Sequence, residues 1–176
     1  MWNKVFAYAN FPLSGDFTVH AVATDNAGNS GGASSTFTLN RYTIDYQQPL
    51  DDTITTVIRN TGKYGRVIPV KVVIYKDGVA QNSANFGPGD AFTIGVNHMT
   101  SCSAGVTDGI ETYADAGASN GNINLFRWAD GQIIYNLDTK APAGVTMVIG
   151  QCYRLDAYLN GAKLSYSRYA VFQPTK

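Results

Sequence analysis

Ten consecutive residues, Arg66-Val67-Ile68-Pro69-Val70-Lys71-Val72-Val73-Ile74-Tyr75, form the longest β-branched run of the chain and constrain its fold more than any other stretch. Such residues suit a pleated, half-buried surface and disfavour a helix. With a period of two, Ile68, Val70, Val72 and Ile74 share one wholly apolar face, which predicts burial. Val67, Pro69, Lys71, Val73 and Tyr75 give the mixed opposite face. Pro69 cannot donate to a ladder, so it predicts an edge, a strand start or a bulge. Asp77-Gly78 follows and predicts a tight hairpin turn, since the pair readily adopts positive φ.

The rest of the chain points the same way. Glu111 is the single glutamate, whereas helical surfaces draw on Glu and Lys. Gly, Thr, Tyr, Val and Asn are abundant, as in strands joined by tight turns. With 176 residues the chain fits one large or two small domains. Thirteen basic residues balance thirteen acidic ones, which argues against nucleic acid or an anionic membrane as partner. No apolar run approaches the roughly 20 residues of a membrane helix, so no membrane insertion is expected.

Before residue 43 the residues Asp16–Thr24 and Ser34–Tyr42 alternate around the turn Asp25-Asn26-Ala27-Gly28-Asn29, and Lys4–Phe11 offers one more strand. Gln47, Gln48, Pro49, Asp51 and Asp52 break the periodicity, so a domain boundary is expected near residue 43. Thr53–Ile58 reads as a short strand and Asn60–Gly65 as a turn. Gln81–Pro88 reads as a loop, Ala91–Val96 as a strand, and residues 98 to 122 as the longest irregular stretch. Ile123–Trp128 and Gln132–Leu137 flank the hairpin signal Asp130-Gly131. Cys152–Leu159 and Leu164–Phe172 flank Asn160-Gly161. Many short strands at this spacing predict an all-β, Ig-like β-sandwich of the Greek-key type over residues 43–176, preceded by a partial Ig-like hairpin segment over 1–42.

Pro69-Val70-Lys71-Val72 resembles the Pro-x-Lys-Phe signature of the bacterial PxKF domain, with Val72 in place of the Phe. Further similar pieces follow the family's order: Tyr46–Leu50, Glu111–Gly117, Phe126-Arg127-Trp128, Tyr135–Lys140, Cys152–Leu155 and the closing Val171–Pro174. The resemblance spans residues 43 to 176. Gly15–Val19 with Asp25–Asn29 resembles the final hairpin of bacterial Ig-like repeats. Together these resemblances imply an accessory module of a large secreted or surface bacterial protein, and no catalytic residues. Met1–Lys4 is not followed by a signal-peptide core, so the chain is either cytosolic or an excised piece of a longer exported one; the incomplete Ig-like segment before residue 43 favours excision, with Met1 as an expression start. The apolar face of the first segment needs cover, from the second module, from a second chain by self-association, or not at all.

Candidate sites follow from residue type. In an exported chain Cys102 and Cys152 are expected to form a disulfide; the alternative is two buried thiols. Asp108, Glu111 and Asp115, with Asn120 and Asn122, offer oxygens for calcium, or else cap their own loop. Trp128, Tyr113 and Tyr135 offer a sugar-stacking platform, or else fill the core. Lys71 and Asn136 raise the chemistry of an isopeptide cross-link. His20, His98 and the nearby serines match no nucleophile-elbow pattern. The expected role is therefore non-catalytic: a spacer, accessory or adhesion module, extracellular or on the cell surface, whose partners are upstream domains of its own polypeptide. No cofactor is expected unless calcium binds. The alternative is a carbohydrate-binding appendage of a secreted hydrolase, with extracellular or cell-wall glycans as partners.

Overall fold

The computed structural model describes residues 14–52, 56–102, 105–110, 119–120 and 123–176. The chain divides into two units, Met1–Arg41 and Tyr42–Lys176. In the first, β1 (Gly15–Thr24) and β2 (Ser30–Leu39) form an antiparallel hairpin, paired from Gly15–Leu39 to Thr24–Ser30. The Asp25 carboxylate shapes its turn by accepting from the Ala27 and Asn29 amides, both at 2.9 Å, and Gly28 takes a φ of 89°. One face stacks Phe17 on Phe37 at 5.8 Å. The other is a polar ladder, with Thr18 bonded to Thr36 at 3.0 Å and His20 Nδ1 to Ser34 at 2.7 Å. The strand expected at Lys4–Phe11 lies outside the described residues.

The second unit is a two-sheet, Ig-like sandwich. Its strands are β3 (Tyr42–Gln47), β4 (Ile58–Lys63), β5 (Val67–Lys76), β6 (Val79–Ala80), β7 (Phe92–His98), β8 (Val106–Gly109), β9 (Arg127–Ala129), β10 (Gln132–Asp138), β11 (Tyr153–Leu159), β12 (Ala162–Lys163) and β13 (Ala170–Thr175). One sheet has the order β3-β5-β10-β9, with β6 on β5. In the other, β11 pairs β7 on one side and β13 and β12 on the other, and the order continues through β4 to β8. Strand β5 behaves as its alternation dictates: Ile68, Val70, Val72 and Ile74 are buried against Ile94, Leu155 and Phe172 of the facing sheet.

Pro69 is in mid-sheet, and the ladder loses nothing by it. It stands opposite Asn136, whose amide and carbonyl both bond to Asn120 on the far side. Opposed residues of an antiparallel pair alternate between bonded and non-bonded, so this is the non-bonded pair and the Pro69 nitrogen faces the other way. There β3 has already ended, at Gln47 opposite Lys71. The hairpin turns hold as expected. Asp77-Gly78, Asp130-Gly131 and Asn160-Gly161 all have positive φ at both residues, with values of 51°/83°, 49°/75° and 49°/80°.

Four expectations need correction. The stretch Asn60–Gly65 is mostly strand, because β4 runs to Lys63 and the turn is left to Tyr64-Gly65. Gly62 serves packing there: a Cβ would stand 2.9 Å from Ile68 Cδ1 and 3.1 Å from Phe172 Cε2. Gly62→Ala should therefore destabilise the unit by about 1–3 kcal/mol through overpacking, read as a lower urea midpoint. The strand expected at Leu164–Phe172 is interrupted: β12 holds the Tyr158–Leu159 end of β11, β13 holds the Tyr153–Leu155 end, and the chain loops out between them. Ser165 Oγ accepts from the Arg168 amide (3.0 Å) in that loop. Ile123–Trp128 is likewise not one strand. Asn124 and Phe126 bond the edge of β7, at 2.8 and 2.9 Å, before the chain joins the other sheet as β9. The stretch read as irregular contains β8, which pairs in parallel with β4.

The pairings fix where this unit's chain enters and leaves. Tyr42 lies opposite Lys76, the last residue of β5. Phe86 rings join Tyr42 (6.0 Å) to Phe92 (4.9 Å), which faces Leu159, so these residues share one pole. Thr175 lies opposite Lys63, and only three residues separate Lys63 from Val67, the first residue of β5. The chain thus enters at one pole and leaves at the other, with β3 and β13 running along the axis between them.

Candidate functional site

A connected polar group of the second unit joins its entering strand to the approach to its leaving strand. After β3 the chain turns at Gln48-Pro49, a cis peptide, and crosses to the other sheet, where Asp52 bridges to Ala170 at the start of β13. Arg168, just before β13, donates through Nη1 to Asp45 Oδ1 on β3 and to Asp52 Oδ2 at 2.9 Å. The Asp52 carboxylate, nearly buried, also accepts from the Tyr46 amide at 3.2 Å. That amide points away from β5, so a side chain satisfies an otherwise open edge of β3.

Behind this group stands Asn60 on β4, which is fully buried. Its Nδ2 donates to the carbonyls of Asp51 (2.9 Å) and Val171 (3.0 Å), and its Oδ1 accepts from the Asp51 amide at 2.8 Å. The Tyr46 hydroxyl crosses the core to donate to the Leu155 carbonyl at 2.8 Å. Asp45, Tyr46, Gln47, Asp51, Asp52, Ile58 and Arg168 line an open cleft of about 270 Å³.

The carboxylates here are already committed to protein donors, so the arrangement fastens strands. Among the described residues no group of three or more His, Cys, Asp or Glu is placed to hold a metal ion. Removing Arg168 would leave Asp52 buried without its counter-ion. Arg168→Ala should lower unfolding free energy by about 2–3 kcal/mol, below the usual cost for a fully buried pair because Arg168 is itself part exposed. Chemical denaturation checks this, and Asp52→Asn in the same background should recover part of the loss.

Three phenols of this unit, Tyr46 and Tyr75 beside the group and Tyr135 in the core, hold their protons. Burial, and then the charge of Asp156, push Tyr46 far above the ordinary tyrosine range. Desolvation, then Asp45, raise Tyr75, and Arg168 offsets part of that shift. Burial raises Tyr135. A raised pKa works against the folded state wherever the unfolded chain would ionise first. Stability is therefore intact below the unfolded tyrosine pKa, near 10, and falls as pH rises beyond it. Alkaline titration followed by phenolate absorbance should show Tyr46 ionising together with unfolding, and Tyr46→Phe should flatten the loss of stability above that pH.

Of the residues singled out from sequence, Cys102 and Cys152 are joined, with Cα atoms 5.2 Å apart, so the disulfide holds and free thiols do not. Asp108 stands on β8, where its carbonyl accepts from Thr61 Oγ1 at 3.0 Å; Glu111, Asp115 and Asn122 lie outside the described residues. Asn120 ties loop to strand by exchanging hydrogen bonds with the Asn136 backbone at 3.1 and 3.2 Å. Tyr135 is fully buried and edges onto Phe126 at 5.8 Å, which removes it from any exposed platform. Trp128 is half-buried between Phe86 (5.5 Å) and Phe92 (5.4 Å), and Tyr113 lies outside the described residues. Lys71 stands opposite Ile134, and the Asn136 side chain accepts from Arg127 at 3.3 Å. His20 belongs to the first unit, and His98 packs on Tyr153 at 5.5 Å.

Sequence reasoning missed Asp45, Arg168 and the role of Asn60. In one dimension a buried Asn looks like a turn Asn, and Asp51-Asp52 reads as a polar junction. Another buried charge, Asp156, also escaped notice. It takes Arg154 at 2.9 Å and Lys163 at 3.1 Å, and Arg154 lies over the Tyr169 ring at 3.8 Å. No described helix is long and apolar enough to cross a membrane. No family model matches the sequence, and comparison with curated proteins and with solved structures finds no match.

Proposed function

We propose that this chain is a non-catalytic spacer or adhesion module of a larger exported, surface-associated bacterial protein. The observation that carries the reading is the axial path of the second unit: entry at the Tyr42 pole, exit at the Thr175 pole, with a polar group fastening the two terminal strands to each other. A module built this way adds length between its neighbours. The Cys102–Cys152 bond supports an oxidising compartment, where such bonds persist. The resemblance of residues 43 to 176 to the PxKF domain supports an accessory role. A glycan and cell-wall polymer binding screen on the whole chain tests the reading. A spacer gives no saturable binding. A saturable hit lost in Trp128→Ala, with unfolding excluded by circular dichroism, would replace it with the carbohydrate-binding reading.

A further inference from the structure

We infer that the second unit is built to carry tension along its long axis, with β3 and β13 as the load-bearing strands. This rests on the spacer reading and adds what the spacer must withstand. Force drawn between Tyr42 and Lys176 acts along both strands, because they leave from opposite poles. Six residues of β3 pair with β5, from Tyr42–Lys76 to Gln47–Lys71. On the other side β13 is held by two neighbours at once. It pairs in parallel with β4 from Val171–Arg59 to Thr175–Lys63, and antiparallel with β11 from Tyr153–Phe172 to Leu155–Ala170. Axial force loads these ladders in shear. Their hydrogen bonds then share the load and must yield together, whereas a strand pulled sideways gives up its bonds one at a time.

The polar group described above completes the arrangement. Arg168 bonds Asp45 on β3 while standing two residues before β13, so the approach to one pulled strand is tied to the other as well as through the core. Asn60 adds a second tie, bonding Asp51 just beyond β3 and Val171 within β13. Both cysteines lie between the loaded strands in sequence, so the disulfide closes a loop that neither strand belongs to. It limits how far the chain extends after rupture and leaves the rupture itself to the strands.

Single-molecule extension of the full chain tests this in two geometries. In the first, handles are attached at Met1 and Lys176. In the second, the far handle moves to the exposed Asn160-Gly161 turn, which lies at the Tyr42 pole, so β3 is peeled and not sheared. The rupture event of the second unit is identified by the disulfide, since both cysteines belong to it. Reductant should lengthen its extension by roughly 170 Å, for a sequence separation of 50. The expected result is an end-to-end rupture force at least about twice that of the second geometry, unchanged by reductant. Equal forces in the two geometries would overturn the inference and leave the spacer reading standing. A saturable ligand in the polymer screen would end the spacer reading and leave the measured anisotropy intact.

Discussion

Asn60→Ala should cost about 3–5 kcal/mol, the largest effect expected of a single substitution outside the apolar core. The amide lies fully buried between the two sheets and makes three hydrogen bonds, at 2.8, 2.9 and 3.0 Å. Truncation leaves the Asp51 amide and the carbonyls of Asp51 and Val171 without this partner, at roughly 1–3 kcal/mol for each that stays dry, and adds a cavity. A domain of this size has only about 5–15 kcal/mol in hand, so the variant should approach the margin. A urea titration at constant slope measures the loss. Asn60→Asp distinguishes hydrogen bonding from packing. It preserves shape but turns a donor into an acceptor against two carbonyls, and should be at least as destabilising as Ala. If Asp were tolerated, the amide would be acting by volume alone.

Reduction of Cys102–Cys152 should cost a comparable amount. The bond closes a loop with a sequence separation of 50, and the chain-entropy relation assigns roughly 4 kcal/mol to a loop of that length. For a unit of this size that corresponds to a fall in melting temperature of about 10–15 °C. Calorimetry with and without reductant, and on the Cys102→Ala/Cys152→Ala double variant, should agree. A fall of less than about 3 °C would mean that the reduced chain keeps residual structure across the loop. Position explains why the two residues meet. The β7–β11 ladder ends at His98–Tyr153, and the Met99 amide extends it by donating to the Cys152 carbonyl at 2.9 Å. The pairing brings both cysteines to the same end of the sheet.

Local chemistry by itself determined the all-β class, the buried face of β5, and the turns at Asp77-Gly78, Asp130-Gly131 and Asn160-Gly161. Each follows from a period of two or from a dipeptide that tolerates positive φ, and neither signal needs a partner from elsewhere in the chain. The cysteine pairing was legible too, because the chain has two cysteines. What the sequence could not show is which polar residue is buried and against what. Asn60 and Gly62 are residue types common in turns, yet Asn60 bonds backbone 111 residues away at Val171, and Gly62 is needed because Ile68 and Phe172 pass too close for a Cβ. Arg168 gains its role from Asp45, 123 positions earlier. Tyr135 and Trp128 look alike as aromatics; only the packing of two sheets places one in the core and the other at its margin. The parallel pairing of β13 with β4, and with it the axial path of the chain, is likewise decided in three dimensions. A strand's residues specify which face it buries, and its neighbour is chosen by the fit of the whole core.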